Sequence, residues 1–112
     1  MSSPHEELEL AAMRAVAKTP AESQRQLAET LGISIGKTNY LINALLEKGL
    51  VKVENFSRSG NKLGYLYLLT PRGVVEKARL TKAFLARKET EYLALQEQII
   101  VLRDEINEST TE

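Results

Sequence analysis

The stretch "QLAETLGISIGKTNYLINALLEKGLV", residues 26–51, contains two short helical patterns joined by a tight turn. Gly32 stands where a helix commonly ends in a left-handed residue. Ser34 is an N-cap residue for the second helix, which we expect over residues 35–48, and Gly49 ends it. Two helices joined by so short a turn form a helix-turn-helix motif.

The residues before this motif predict two helix starts. Residues 6–18 place apolar side chains at helical spacing with glutamates in the first turn, which predicts a first helix. Thr19-Pro20 breaks it, because the residue before a proline is disfavoured in helical geometry. Ser23, with Gln26 three residues later, matches a capping box and opens the next helix, over about residues 24–30.

The residues after the motif predict a β-hairpin and a long helix. "LVKVE" from Leu50 and "LGYLYLLT" from Leu63 read as two antiparallel strands, joined by about seven residues that include a Gly-Asn turn signal. We expect Tyr65 and Tyr67 of the second strand to pack rather than to stack on nucleic acid. Thr70-Pro71 then opens a helix that we expect to continue to about Asn107.

This order of elements is that of a mainly α chain with a small β-hairpin (α+β), and it is typical of a winged helix. We assign residues 1–70 to a winged helix-turn-helix DNA-binding domain, residues 71–108 to a long C-terminal dimerisation helix, and residues 109–112 to a flexible tail. At 112 residues the chain has room for one such domain and one extra element.

Charge is distributed unevenly, although the formal net charge is zero. Residues 25–88 carry twelve Lys or Arg against four Glu, a net of +8, whereas residues 1–24 carry −2 and residues 89–112 carry −6. For an isolated charge run a solvated helix face is the more common explanation, so the placement of the basic residues has to decide.

The second helix of the motif has an outward face suited to base readout. With Thr38, Leu41, Ile42 and Leu45 facing inward, the polar side chains remain outside. Lysine donates to guanine or phosphate, asparagine pairs with adenine through two hydrogen bonds, and tyrosine reaches sugar or phosphate. The candidate DNA-reading residues of this helix are Ser34, Gly36, Lys37, Asn39, Tyr40 and Asn43.

A second basic feature is the tip of the hairpin. Arg58 and Lys62 flank Ser59-Gly60-Asn61, and we expect the hairpin to project both cations past the strand ends toward a minor groove or the DNA backbone. We include Arg58, Ser59, Asn61 and Lys62 among the candidate DNA contacts, and Arg25 at the start of the second helix as a phosphate contact. Ser23 and Lys52 are weaker candidates for phosphates. We favour Arg72, Lys77, Arg79 and Lys82 as an exposed helix face.

The run "QLAETLGISIGKTNYLINALLEKGLV" with "NKLGYLYLLTPRG" resembles the winged helix-turn-helix regulators of the MarR family, and more narrowly their short branch associated with exopolysaccharide gene clusters. The resemblance covers roughly residues 6–95, and "LEKGLV" and "LTPRG" are its most specific parts. It implies double-stranded DNA as the partner. Typical members are longer and have extra helices that form a ligand-binding crevice, so no effector is assigned to this chain.

The long helix predicts a homodimer. A heptad pattern is clean only from Leu85 onward, and a lone helix would leave its apolar stripe in water. Two copies would present two recognition helices to half-sites about one DNA turn apart. The candidate dimerisation residues are Leu85, Tyr92, Leu95, Ile99, Leu102 and Ile106.

Catalysis, metal binding and membrane insertion find no support in the sequence. His5 is the only histidine and cysteine is absent, so we expect no metal, no cofactor and no enzyme activity. "GISIGKT" lacks both the spacing of a phosphate-binding loop and a preceding strand. No apolar run could cross a membrane, and we expect a cytoplasmic protein. Two other classes stay open: a protein-interaction adaptor with a coiled-coil arm, and an RNA-binding winged helix.

Overall fold

The computed structural model describes residues 3–20, 23–58 and 62–110. The order of elements is α1 (Pro4–Lys18), α2 (Gln24–Leu31), α3 (Ile35–Glu47), β1 (Val51–Arg58), β2 (Lys62–Leu69) and α4 (Pro71–Thr110). The predicted mainly α fold with one hairpin and a long C-terminal helix is confirmed. The last helix extends three residues beyond the expected end at Asn107.

Each of the first three helices begins at a serine N-cap. Ser3 and Ser23 both form complete capping boxes, the second with Gln26 as the sequence predicts. Ser34 accepts a hydrogen bond from the Lys37 N–H at 3.0 Å. Such caps satisfy backbone donors that have no partner within the helix, and each contributes about 1 kcal/mol.

The predicted left-handed residue Gly32 is present, and Gly49, predicted only to end the next helix, is left-handed as well. Gly32 ends α2 with φ of 70°, and Gly49 follows α3 with φ of 71°. Glycine adopts this backbone region without the steric penalty of a Cβ atom. The turn between α2 and α3 is therefore tight, and it brings the two helices of the motif into contact.

The core lies where α1, α3, the start of β1 and the first turns of α4 meet. Four side chains of α3 predicted to face inward, Thr38, Leu41, Ile42 and Leu45, are all buried. Burial of each aliphatic side chain contributes about 1.5–3 kcal/mol. The main cluster consists of Leu10, Ala12, Met13, Leu41, Leu45, Leu50, Val51 and Leu80, and a smaller one of Ala15, Leu27 and Ile42.

The hairpin is longer than its side-chain pattern suggests. β1 and β2 each contain 8 residues, and pairing continues from Val51↔Leu69 to Arg58↔Lys62. The expected seven-residue loop is thus wrong: only residues 59–61 connect the strands. Backbone hydrogen bonds define the pairing, so polar side chains in residues 54–58 do not end it.

Tyr67 and Tyr65 behave differently, although both lie on the same strand. Tyr67 is half-buried and packs against both core clusters, as predicted. Tyr65 is 62% exposed. The prediction that its side chain packs is therefore wrong. On a two-stranded sheet, the position along the strand decides whether a side chain reaches the helices. Tyr67 lies near the core end of β2, and Tyr65 lies closer to the hairpin tip.

The junction between the hairpin and α4 is held by Thr70. Its hydroxyl donates to the Gly49 carbonyl and accepts from the Gly73 N–H at 3.0 Å, and its N–H donates to the Leu50 carbonyl at 3.0 Å. Thr70 therefore connects the end of α3 to the start of α4, in addition to its predicted N-cap role.

Candidate nucleic-acid interface

The outward face of α3 carries the residues that the sequence predicts. Gly36, Lys37, Asn39, Tyr40 and Asn43 are all exposed, and Tyr40 is exposed to 72%. A Cβ atom added to Gly36 would meet nothing within 4 Å, so the surface there is open. One donor cation, two carboxamides and an aromatic hydroxyl thus share one helix face, which is the chemistry that reads base edges and phosphates.

Ser34 has a structural task at the start of this helix. Its hydroxyl accepts from Lys37 N–H, and its carbonyl accepts from the Thr38 hydroxyl at 2.8 Å. The residue is exposed, and it orients the first turn of α3. At that turn, free backbone N–H groups and the helix dipole favour an anion such as a phosphate.

A chain of carboxamides crosses this face and leads to the hairpin. Asn43 Nδ2 donates to Asn39 Oδ1 at 2.8 Å, and Asn39 Nδ2 donates to Gln24 Oε1 at 3.1 Å. Gln24 Nε2 in turn donates to Tyr67 Oη at 3.2 Å. Neither Gln24 nor the Tyr67 hydroxyl is predicted from the sequence, because these contacts span 15 and 43 residues and leave no local pattern.

The hairpin places Arg58 and Lys62 opposite each other as its last register pair. They are therefore the last residues of the two strands. The sequence had predicted that both cations project past the strand ends. Ser59 and Asn61 lie outside the described residues, as do the side chains of Arg58 and Lys62. The predicted contacts of these four residues stay predictions.

The three phosphate candidates outside α3 and the hairpin tip differ in exposure and in the contacts that they already make. Arg25 is exposed in the first turn of α2. Lys52 Nζ lies 3.1 Å from Glu54 Oε1, so part of its charge is already balanced. The Ser23 hydroxyl accepts from the Gln26 N–H. Of these three, Arg25 is the most suitable phosphate contact.

These elements match known DNA-binding proteins. Residues 6–52 match the family model described as winged helix-turn-helix DNA-binding. A PadR-like transcriptional regulator from Bacillus cereus is 16% identical, with a TM-score of 0.71 over 80% of this chain and 91% of that chain. MarR from Staphylococcus aureus, solved with salicylate and kanamycin, is 18% identical, with a TM-score of 0.59 over 86% of this chain and 67% of its own.

A third similar structure contains DNA. The transcriptional repressor CouR, bound to a 23-mer DNA duplex, is 26% identical, with a TM-score of 0.60 over 73% of this chain and 56% of that chain. Among curated protein sequences, no significant match is found.

The chain has the winged helix-turn-helix fold of the MarR-type regulators. The predicted resemblance is therefore confirmed, whereas its narrower form, the exopolysaccharide-associated branch, stays a prediction. The matched structures are regulators rather than enzymes. In winged helices the second helix of the motif is called the recognition helix and the hairpin the wing, and we use these names for α3 and for β1–β2.

The first half of α4 is bound to α1 by ion pairs. Arg79 donates to Glu76 and Glu6, and Arg87 donates to Glu7 and to Glu91. The Arg79 guanidinium holds the pKa of the Glu76 carboxyl below its usual range. These pairs support the preference, stated from the sequence, for an exposed helix face over phosphate contact at Arg79.

A nearly buried carboxylate that the sequence does not predict lies between α1 and the end of α3. Glu9 of α1 is 5% exposed, and Lys48 Nζ donates to its two oxygens at 3.0 and 2.9 Å. His5 Nε2 lies 3.1 Å from the same carboxylate. The lone histidine therefore contacts a structural ion pair that connects α1 to the C-terminus of the recognition helix.

The second half of α4 exposes its apolar side chains. Residues 91–110 are all exposed, and so are all six predicted dimerisation residues, Leu85, Tyr92, Leu95, Ile99, Leu102 and Ile106. Leu93 and Ile100 add a second apolar stripe. Contiguous exposed apolar surface of this kind is uncommon in monomeric proteins.

Other classes of site find no counterpart in residues 3–20, 23–58 and 62–110. Within these ranges no cluster of histidine, cysteine and acidic residues could hold a metal ion. The helices described there include none long and apolar enough to span a bilayer.

Proposed function

We propose that this protein is a transcriptional regulator that binds double-stranded DNA sequence-specifically as a homodimer. The observation that carries the proposal is the outward face of α3. Lys37, Asn39, Tyr40 and Asn43 are exposed together on a helix whose opposite face is buried. Packing of that buried face holds the helix rigid, so its polar face can enter a major groove as one unit.

Similarity to a DNA-bound repressor supports the same function. CouR, solved on a 23-mer duplex, shares the fold over 73% of this chain. By analogy, we assign base reading to α3 through Ser34, Gly36, Lys37, Asn39, Tyr40 and Asn43. The wing contributes backbone or minor-groove contacts through Arg58, Ser59, Asn61 and Lys62, and Arg25 contacts a phosphate.

The homodimer part rests on α4. Its last twenty residues contribute nothing to the core and expose a stripe of large apolar side chains. Each aliphatic side chain covered by a partner chain contributes about 1.5–3 kcal/mol. A second copy supplies a matching stripe, and the pair then reads an inverted repeat. The heptad seam comprises Leu85, Tyr92, Leu95, Ile99, Leu102 and Ile106.

The genes under control are proposed from the resemblance alone. The exopolysaccharide-associated branch implies exopolysaccharide genes as targets, and a regulator that binds bacterial chromosomal DNA works in the cytoplasm. No cofactor is part of the proposal.

A second function is favoured by one observation, the free arm of α4. A winged helix that docks another protein and uses this arm as a coiled-coil adaptor would also need exposed apolar side chains there. It would not need a basic recognition face. Lys37 on α3 and the wing cations Arg58 and Lys62 therefore favour DNA.

Selection of bound fragments from genomic DNA, followed by titration of the best duplex at several salt concentrations, tests the proposal. We expect an enriched inverted repeat and a linear fall of log affinity with log salt, because lysine and arginine contacts release counterions from DNA. Lys37→Gln removes one cationic contact and should reduce the steepness of that salt dependence by about 1. Gln98→Ala on the α4 arm should leave it unchanged. A slope near zero without an enriched sequence would reject DNA binding and favour the adaptor.

A further inference from the structure

The carboxamide of Asn39 is already oriented before any DNA arrives. Its Oδ1 accepts one hydrogen bond from Asn43 at 2.8 Å, and its Nδ2 donates one to Gln24 at 3.1 Å. A carboxamide has two donor hydrogens and two acceptor lone pairs. One donor and one acceptor of Asn39 therefore remain for a further partner, and the side chain is exposed.

This remaining donor and acceptor match one base. Adenine presents N7 as an acceptor and N6–H as a donor in the major groove, and asparagine pairs with both at once. An exposed asparagine otherwise samples several rotamers, and fixing a flexible side chain reduces the affinity of a complex. The hydrogen bonds from α2 and from Asn43 restrain Asn39 in advance.

The restraint is anchored in the protein core. Gln24 is half-buried at the start of α2 and donates to the Tyr67 hydroxyl at 3.2 Å. Tyr67 packs against both core clusters, and its backbone N–H donates to the Pro20 carbonyl at 3.0 Å. The four groups form one continuous chain, so no amide within it reverses without its neighbours.

We propose that Gln24 is a positioning residue for base readout: held by the Tyr67 hydroxyl, it orients the Asn39 carboxamide to pair with the adenine of an A·T base pair. This rests on the proposed DNA binding and deepens it. Gln24 itself does not contact the base. It connects a residue of the core to the reading residue and thereby links the wing strand β2 to the recognition helix α3.

The experiment measures base preference rather than overall affinity, because a merely structural role for Gln24 would change affinity for all sequences alike. The whole 112-residue chain is bound to a duplex library in which every operator position is varied. Asn39→Ala should abolish the preference for A·T at one position of each half-site, a change of roughly 5- to 150-fold. Gln24→Ala should weaken the preference at that same position by about 5-fold and leave the other positions unchanged.

Two further variants sharpen the result. Tyr67→Phe removes only the hydroxyl and keeps the ring in the core, so it should reduce the same preference without lowering the melting temperature appreciably. In the double variant Gln24→Ala with Asn39→Ala, the loss should equal that of Asn39→Ala alone, since coupled residues are not additive. Gln98→Ala, an exposed glutamine on α4, is the matched control.

The possible results distinguish a failure of the positioning role of Gln24 from a failure of the proposed DNA binding. If wild-type protein shows no sequence preference on duplex DNA, both the proposed function and the inference fail. If Asn39→Ala removes a preference that Gln24→Ala and Tyr67→Phe leave intact, the positioning role alone is overturned. Additive losses in the double variant, or a uniform loss across all positions, would overturn it as well.

Discussion

Gly73 in the first turn of α4 lies directly against the backbone of Leu50. A Cβ atom built on Gly73 would stand 2.0 Å from the Leu50 carbonyl oxygen and 2.9 Å from its carbonyl carbon. The neighbour is backbone rather than a flexible side chain, and Thr70 ties the same segment by hydrogen bonds. The long helix and the entrance to the wing are therefore packed without space for any side chain.

We expect Gly73→Ala to lower the free energy of unfolding by about 1–3 kcal/mol, because a methyl group there displaces α4 from the wing. Alanine has the higher helix propensity, which acts in the opposite direction by about 1 kcal/mol. Chemical denaturation measures the change. Gly36→Ala on open α3 surface is the matched control and should not destabilise; equal stability of both variants would contradict the close contact.

Removal of the cation beside Glu9 should destabilise the domain. Lys48→Met leaves a nearly buried carboxylate without its main partner, and we expect a loss of about 1–3 kcal/mol at neutral pH. Lys48 is half exposed, so water limits the loss. Thermal unfolding measures it. Adding Glu9→Gln to Lys48→Met should restore part of the stability, because the uncompensated charge is gone. If Lys48→Met is as stable as the wild type, Lys48 does not stabilise the domain through Glu9.

The Glu76 carboxyl should titrate at a lower pH than an ordinary glutamate. Its pKa is lowered mainly by the hydrogen bond from Arg79, so Arg79→Gln should raise that pKa toward the usual value. The pair contributes stability above the ordinary glutamate pKa, and this contribution is lost as pH falls through the lowered pKa. An NMR titration of the Glu76 side chain checks the shift, with Lys82→Gln as control. If the pKa of Glu76 is the same in Arg79→Gln as in the wild type, the hydrogen bond from Arg79 does not lower it.

Recognition helix and wing should affect binding differently. Tyr40→Ala should change which sequences bind, with about 1–3 kcal/mol lost at a directly read base pair. Lys62→Ala should weaken all duplexes similarly and reduce the salt dependence. A duplex library bound at two salt concentrations distinguishes the two effects. If neither substitution alters the binding profile, α3 and the wing are not the DNA surface.

Truncation before Thr90 should convert a dimer into a folded monomer. It deletes Tyr92, Leu95, Ile99, Leu102 and Ile106, and the described residues 90–110 are all exposed, so the domain should keep its fold. Affinity for a two-half-site duplex should fall, since the second half-site contact is no longer tethered. Binding to a single half-site should persist and stay salt-sensitive.

Light scattering and a mobility shift on the truncated chain measure the two effects together. Asp104→Asn in the untruncated chain, changed on the same arm at the heptad position opposite the seam, should remain dimeric. A truncated chain that still dimerises would place the seam elsewhere, with α1 as the next candidate.

Local signals in the sequence predicted most of the fold. Ser23 with Gln26, Ser34, Gly32 and Gly49 set helix ends through contacts within four residues, and such patterns are legible along the chain. Helical spacing likewise predicted the inward face of α3. The outward residues of α3 follow from it, because burial of one face of a rigid helix leaves the other face exposed.

Tertiary structure alone decided the features that join distant residues. Glu9 reads as a solvated charge in α1, but the fold brings Lys48 to it across 39 residues. Gln24 reads as the first polar residue of a helix, but the fold places it between Asn39 and Tyr67. Local signals in the sequence determine where helices and strands begin and end and which of their faces is apolar. Which side chains of different elements come into contact depends on how those elements pack. Residue spacing along the chain does not reveal these contacts.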